Sequence, residues 1–337
     1  MLRVSYDEMN AVLLRVLLKL GFEHDRATLC ARLFADASRD GVPSHGLNRF
    51  PQFVRMIQNK IVDVQAAPEL VARFGSLERW DGKRGPGNLN AYQCMERAIA
   101  LSRTHGMGSV ALANTNHWMR GGNYGWQAAD AGVIGICWTN TLANLPPWGA
   151  SDPRVGNNPL VIAVPRPNGP VVLDMAMSQF AFGALASYRR RGEQLPVAGG
   201  FDANGQLTCD PGAIEASRRA LPIGYWKGSG LALLLDLVAT LLSGGHATHQ
   251  IPVDTERETG LSQVFLAFDL ACLDHSGDSV RLADQIIEHF RASPVGAGQS
   301  VRYPGERVLQ VRAENMRVGI PAEESVWDEV VQLSTVL

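Results

Sequence analysis

Paired cysteines are missing from this sequence. The five present, Cys30, Cys94, Cys137, Cys209 and Cys272, show no C-x-x-C and no close pair. Neither a disulfide framework nor a cysteine zinc site is expected. Cys137, inside IGICWTN, reads as a small buried hydrophobe. Net charge is lacking too. Lys and Arg number 31 against 33 Asp and Glu, a balance of −2 that gives no footprint for nucleic acid or an anionic membrane. The run Arg189-Arg190-Arg191 fits the end of a helix, where it complements the dipole. Long apolar runs are short here. The longest, LALLLDLVATLL at 231–242, contains Asp236 and falls below the roughly 20 residues that span a bilayer. It is expected to be a buried helix. The opening MLRVSYDEMN brings in acidic residues before any apolar core, so no signal peptide and a cytoplasmic protein are expected.

Familiar nucleotide and metal motifs are also missing. There is no P-loop and no H-E-x-x-H. GMGSVA, 106–111, precedes a predicted strand instead of following one, the wrong context for a dinucleotide fingerprint. His246 and His249 sit three apart in a Gly/Thr-rich turn with no carboxylate at ligand spacing, so no metal site is expected.

What is present is an α/β pattern in 337 residues, enough for two domains. Ser5-x-x-Glu8 has capping-box form and opens a helix to Leu20, stopped by Gly21. A second helix spans about 25–40. A third is expected to start at Ser44 as N-cap, with Pro51 kinking or splitting it. The texture changes near residue 70. A helix is predicted over 89–105, a strand over 109–114, and a short helix ending at Gly132. VIGICWTN, LVIAVP and PVVLDMA read as strands, SQFAFGALASYRRRG as a helix stopped by Gly192, and SQVFLAFDL as a last strand. Helices return at 279–291, about 304–317, and 323–335. Several strand connections are too short for a crossover helix, which argues against a purely parallel, doubly wound sheet. The expected layout is a helical domain built from 1–75 and 278–337 around an α/β domain at 76–277.

Four stretches could carry chemistry. His45 and Arg49 are four apart and share a face if the third helix starts at Ser44. Arginine can grip a carboxylate with two parallel hydrogen bonds, and histidine can trade a proton near neutral pH. A capped helix with an exposed histidine and a solvated arginine fits the same spacing. His117 follows a predicted strand, in a loop with Trp118, Arg120, Gly121 and Gly122. Trp118 and Trp126 could exclude water or stack on a flat ring, or simply pack. Asn140, Asn157 and Asn158 have amides suited to a sugar or carboxamide, and are equally turn residues. PIGYWKGSG, 222–230, sets Lys227 at the start of a helix, a place that favours phosphate.

Taken in order, SHGLNRF, NHWMRGGNYGWQAADAG, IGICWTNT, PPWGA, GNNPL, LDMAMS, LPVAGGFDANGQLT and LPIGYWKGSGLALLLDLVATLLSGG closely resemble the malate/L-lactate dehydrogenase family that lacks a Rossmann fold. The resemblance covers nearly the whole chain. It implies a mixed α/β fold with a largely antiparallel sheet flanked by helices, and a cytoplasmic homodimer. It implies reduction of a 2-oxo sugar acid, 2,3-diketo-L-gulonate to 3-dehydro-L-gulonate, with hydride from NADH or, possible within the family, NADPH. His45 then matches the catalytic histidine, His117 a second acid/base histidine, and Arg49 the carboxylate anchor. Trp148, in PPWGA, falls on the substrate side. The coenzyme positions become Asn140, Pro170, Val171, Val172, Leu173, Asp174, Met175, Ala176, Trp226, Lys227, Gly305, Glu306 and Arg307. Pro43 and PRPNGPVVLDM depart from the pattern, and Arg166 bears on coenzyme choice. Three rivals stay open: another 2-oxo or imino acid of the same family, a metal-dependent hydrolase or lyase using His45, His117, His246 and His249, and a non-catalytic sugar-acid binding protein.

Overall fold

Ser5 caps the first helix as its sequence implies, its hydroxyl accepting the Glu8 N–H at 3.1 Å. This is a computed structural model, and it describes residues 2–274, 276–296 and 298–336. After the short strand β1 (Leu2–Val4), helix α1 (Tyr6–Lys19) buries Met9, Val12, Leu13, Val16 and Leu17. That three-and-four spacing is one stripe of a helix, and it packs on α2 (His24–Arg39), which buries Phe34 and Ala31. Helix α3 (Phe50–Gln58) adds Phe50, Phe53 and Val54. A hairpin follows, β2 (Glu69–Phe74) and β3 (Leu77–Asp81), then α4 (Gly87–His105), closed by Gly106 in the left-handed region.

The sheet is built next. Its strands are β4 (Met107–Asn116), then after α5 (Gly122–Asp130) β5 (Ile134–Thr139), β6 (Leu160–Val164) and β7 (Val171–Met175). Helix α6 (Phe182–Arg191), the small hairpin β8 (Gly200–Phe201) and β9 (Leu207–Thr208), and α7 (Pro211–Ser217) precede α8 (Trp226–Ser243). Strand β10 (Thr259–Phe268) then inserts at the centre. The seven-stranded order is β2-β3-β4-β10-β5-β6-β7, antiparallel throughout except for β3 beside β4. The mixed, largely antiparallel α/β architecture is the expected one. Successive residues of β10 face opposite ways: Val264 enters one core with Trp138, Leu235 and Ala239, and Phe265 the other with Met95, Trp118 and Tyr124. Burial of a side chain like Phe265 is worth roughly 1.5–3 kcal/mol.

Helices α9 (Asp278–Arg291) and α10 (Glu306–Val318), strand β11 (Ile320–Ala322) and α11 (Glu324–Val336) end the chain. β11 pairs antiparallel with β1, and Trp327 and Val330 join the core of α1–α3. Both chain ends therefore build one helical layer.

Two sequence expectations need correcting, and one open reading narrows. Ser44 does not open a helix. His45 and Arg49 lie on two single 3-10 turns, Pro43–His45 and Leu47–Arg49. Between them Gly46 presses onto α2, where a side chain would sit 2.2 Å from the Ser38 hydroxyl. That hydroxyl accepts the Leu47 N–H at 2.8 Å and fixes the turn. Pro51 falls in the first turn of α3, where its missing N–H breaks no bond, so it starts the helix instead of kinking it. Second, the Leu-rich helix α8 is buried on one face only. Gly228, Ala232, Leu235, Asp236 and Ala239 line that face, while Leu233, Leu234, Leu237 and Leu241 are exposed. Third, of the readings left open for Trp118 and Trp126, packing is the one that holds: both are core residues, at 2% and 5% exposure.

Candidate active site

The loop after β4 is pinned in two cores at once. Trp118 enters the sheet core with Tyr124 and Phe265, and the next residue, Met119, enters the helical core. Asn116, at the strand end, donates to the Arg84 and Gly85 carbonyls at 2.7 and 2.9 Å. His117 is left between these anchors, half-buried, on the junction of sheet and helical layer. The 3-10 turn from the helical side brings His45 to the same point. The two rings stack with centroids 5.8 Å apart and planes 26° from parallel. His45 Nδ1 meets the Ser44 hydroxyl at 3.0 Å. His117 Nδ1 accepts the Met119 N–H at 3.0 Å.

The electrostatics are set by burial and by guanidinium groups. Burial, then Arg49 and Arg120, push His45 down to about 4. Burial, then Arg49 and His45, hold His117 well below the usual histidine range. Both rings are therefore neutral at pH 7 in the free protein. Arg49 is recessed, and Glu258 faces it with Oε2 at 3.7 Å. Burial raises the Glu258 carboxyl, against the pull of Arg49 and the Leu142 N–H. Arg49 keeps one loose partner and so retains donors for an incoming carboxylate.

The three expected coenzyme segments converge on β7, an edge strand. At one end the Val172 N–H donates to the Pro304 carbonyl at 3.0 Å, and Gly305, at φ +92, lies so close that a side chain would sit 3.0 Å from the Val172 nitrogen. Beyond the other end, the Ile223 N–H reaches the Met177 carbonyl at 2.8 Å and places Trp226 and Lys227 there, at the start of α8. The first turn of α8 carries no acid; the Lys227, Gly228 and Ser229 N–H groups are taken by the Gly224, Ile223 and Tyr225 carbonyls, so the Lys227 ammonium is the group there that suits a diphosphate. In between, the exposed Asp174 accepts the Gly122 N–H at 2.8 Å, joining the strand to the His117 loop. These residues are of kinds that would fit a nicotinamide dinucleotide, with Lys227 for its phosphates and the β7 backbone for its hydrogen-bonding edges. Glu306 pairs with Arg291 and accepts the Tyr303 N–H. Arg166 pairs with Asp284 and lies over Tyr303, with no contact to β7 residues 171–175 among its described partners.

Two further expected site residues have partners within the fold. The Asn140 amide is fully used inside the fold: it donates to Asp236 and to the His246 carbonyl, both at 2.8 Å, and accepts the Ser262 N–H at 2.7 Å. These bonds tie β5 to α8 and β10. Trp148 packs on Tyr225 at 5.1 Å and donates its backbone N–H to Ser229, so it stands beside the start of α8. Asn157 and Asn158 likewise brace their own loop, through Asn144, Thr141 and the Ala232 carbonyl. Among the described residues no group of three or more His, Cys, Asp or Glu could hold a metal ion. The sequence reading missed Glu258. It sits in DTERETG, whose charge density reads as a solvated turn.

Residues 4–331 match the malate/L-lactate dehydrogenase family. A 2,3-diketo-L-gulonate reductase of Escherichia coli O127:H6 is 44% identical over 337 residues, covering 98% of this chain and 100% of its own. The solved sulfolactate dehydrogenase of Methanocaldococcus jannaschii superposes with a TM-score of 0.92 at 25% identity, over 99% of this chain and 97% of its own. The solved delta1-piperideine-2-carboxylate reductase of Pseudomonas syringae does so with a TM-score of 0.87 at 26% identity, over 99% and 100%. With a family match spanning residues 4–331 and a 44% identical reductase over nearly its whole length, the chain belongs to the malate/L-lactate dehydrogenase family and is an oxidoreductase.

Proposed function

We propose that the protein reduces 2,3-diketo-L-gulonate to 3-dehydro-L-gulonate, using NADH or NADPH. The observation that carries this reading is the stacked His45–His117 pair beside a recessed Arg49. When bound, the coenzyme supplies a hydride. The residues of the chain do the rest. Arg49 holds the C1 carboxylate, which sets the C2 carbonyl between the histidines and β7. His45 gives a proton to the C2 oxygen. His117 holds that oxygen from Nε2. The roles are divided by the Nδ1 partners. The Met119 N–H points at His117 Nδ1, so a second proton there would face a donor. The Ser44 hydroxyl can rotate to donate or accept, so His45 can change its protonation state. The substrate carboxylate supplies the negative charge that favours imidazolium on His45.

A homodimer belongs to the same proposal. The exposed Leu233, Leu234, Leu237 and Leu241 on α8 form an apolar face of the kind that a second copy covers. So does a cytoplasmic location, which fits the free thiols of Cys30, Cys94, Cys137 and Cys209.

A second reading keeps the family and changes the substrate. The same arginine and histidines suit any small 2-oxo acid or cyclic imino acid, and structural neighbours bear such names. The test is loss of nicotinamide absorbance with NADH, then NADPH, against 2,3-diketo-L-gulonate, pyruvate and oxaloacetate in parallel. Fast loss with diketogulonate alone supports the proposal. Loss with pyruvate or oxaloacetate instead transfers the site to another acid. No loss with any of them overturns it.

A further inference from the structure

Helix α6 belongs to an excursion of the chain that leaves and rejoins the sheet at one place. Ser178 and Pro222 form an antiparallel bridge there. The Gln179 N–H donates to the Leu221 carbonyl at 2.7 Å, and the Ile223 N–H to the Met177 carbonyl at 2.8 Å. Between these ends, α6, β8, β9 and α7 enclose a small core of their own, Leu185, Leu195 and Ile214. Two contacts carry α6 out of this unit and onto the turns that hold His45 and Arg49.

The first contact is Gly183, the second residue of the helix. A side chain there would meet Ser44, at 2.8 Å from its Cβ and 2.9 Å from its hydroxyl. That hydroxyl is the one 3.0 Å from His45 Nδ1. Gly183 does not have a positive φ, so the backbone does not call for glycine; the approach of Ser44 does. Alanine is the better helix former, and only this contact disfavours it. The second contact comes from the arginines that end the helix. Arg189 pairs with Glu215 and Arg191 with Glu193, both at 2.8 Å and within the unit. Arg190 reaches out of it. Its Nη2 lies 3.1 Å from Glu323 Oε1, and the same oxygen accepts the Asn48 amide N–H at 2.8 Å. Asn48 precedes Arg49 on one 3-10 turn as Ser44 precedes His45 on the other. Seven residues of helix, about 10 Å, separate Gly183 from Arg190.

We propose that α6 is a positioning element of this site: Gly183 seats Ser44 against His45, and Arg190, through Glu323, seats the turn that carries Arg49. The inference rests on the function proposed above for the roles of His45 and Arg49, and it does not need the substrate to be diketogulonate. The two contacts act on different quantities. A methyl group at position 183 displaces Ser44 and with it the ring that gives the proton, which lowers kcat. Loss of the Arg190 pair loosens the turn under the carboxylate anchor, which raises KM.

The test compares the full-length parent with Gly183→Ala, Arg190→Gln and Arg189→Gln. Nuclear magnetic resonance reads the histidine ring nitrogens, with the His45 signals assigned from His45→Asn, and steady-state rates use the acid that the parent turns over. Gly183→Ala is expected to move the His45 Nδ1 signal more than that of His117 and to lower kcat about tenfold at near-parent KM and melting temperature. Arg190→Gln is expected to raise KM two- to fivefold at near-parent kcat, a small factor because the pair is half-exposed. Arg189→Gln breaks a pair inside the unit and leaves both rate constants at parent values. An unmoved His45 signal with parent-like kcat in Gly183→Ala overturns the proposal, as does an equal rise of KM in Arg189→Gln and Arg190→Gln. If Gly183→Ala does not fold, Gly183→Ser replaces it with the same criteria. If the parent turns over no acid, the proposed function fails while the His45 signal still decides the Gly183 contact, so the two ideas fail separately.

Discussion

His45 and His117 stack 5.8 Å apart, yet their Nδ1 atoms answer to different partners, a rotatable hydroxyl and a fixed backbone N–H. The pair is thus chemically unequal although it is geometrically close to symmetric. One ring is free to change its proton count, and the other is held in a single neutral tautomer. Several consequences can be measured.

Stability should depend on pH through these rings. Each titrates lower in the folded chain than the unperturbed 6.5, His45 at about 4. A depressed histidine contributes stability that is complete above the unfolded value and declines as pH falls through 6.5 toward the folded one. The contribution of His45 is up to ~3 kcal/mol, less where solvent reaches the ring. Urea unfolding at pH 7.5, 5.5 and 4.5 should show the decline, and His45→Gln should flatten part of it. A parent curve that is flat over this range would refute neutral burial.

Arg49 is expected to act as a fork and not as a point charge. Arg49→Lys should raise the substrate KM by roughly tenfold or more, about 1.4 kcal/mol, and leave coenzyme Kd unchanged. Glu258→Gln should raise the same KM by a smaller factor, because the amide still fills the space but holds the guanidinium less firmly. Coenzyme binding by nicotinamide fluorescence separates the two effects. A loss of coenzyme affinity in either variant would move Arg49 out of the carboxylate role.

Asn140 should behave as a structural residue. Asn140→Ala removes three hydrogen bonds and leaves the half-satisfied Asp236 buried at 8% exposure. The expected cost is about 2–4 kcal/mol in denaturant unfolding, with coenzyme Kd of the folded fraction unchanged. A weakened Kd at unchanged stability would return Asn140 to the coenzyme site.

The α8 face predicts a dimer of this 36.5 kDa chain. Light scattering should give twice that mass, and Leu234→Asp with Leu241→Asp should lower it to one chain. A monomeric parent would contradict the assignment of that face.

Much of this architecture is legible from local chemistry. Ser5 before an apolar stripe, Gly106 and Gly192 after others, and the alternation in SQVFLAFDL each specify one element, and each forms. The β2–β3 hairpin is not legible. Its residues Glu69, Arg73 and Glu78 are charged, and the strands exist because β3 finds β4 and Arg97 reaches across to Glu78 at 2.6 Å. The Ser44 start fails because the turn is decided by Gly46 pressing on Ser38, a contact no local pattern encodes. His45, Arg49 and His117 are nameable from their motifs. Glu258 is not, since its partner lies 209 residues away in sequence. Exposed leucines on α8 look like core from composition alone, because an apolar helix reads the same whether its second face meets the sheet or another chain.

The central claim, that His45 supplies the proton, is tested most directly by coenzyme oxidation rates of His45→Asn and His117→Asn beside the parent, with the acid that the parent turns over. The account predicts a loss on the order of 10²–10⁴ in kcat for His45→Asn. For His117→Asn it predicts a smaller loss, since only a hydrogen bond to the oxygen goes. Near-normal turnover in His45→Asn, with turnover lost in His117→Asn, would contradict it and exchange the two roles.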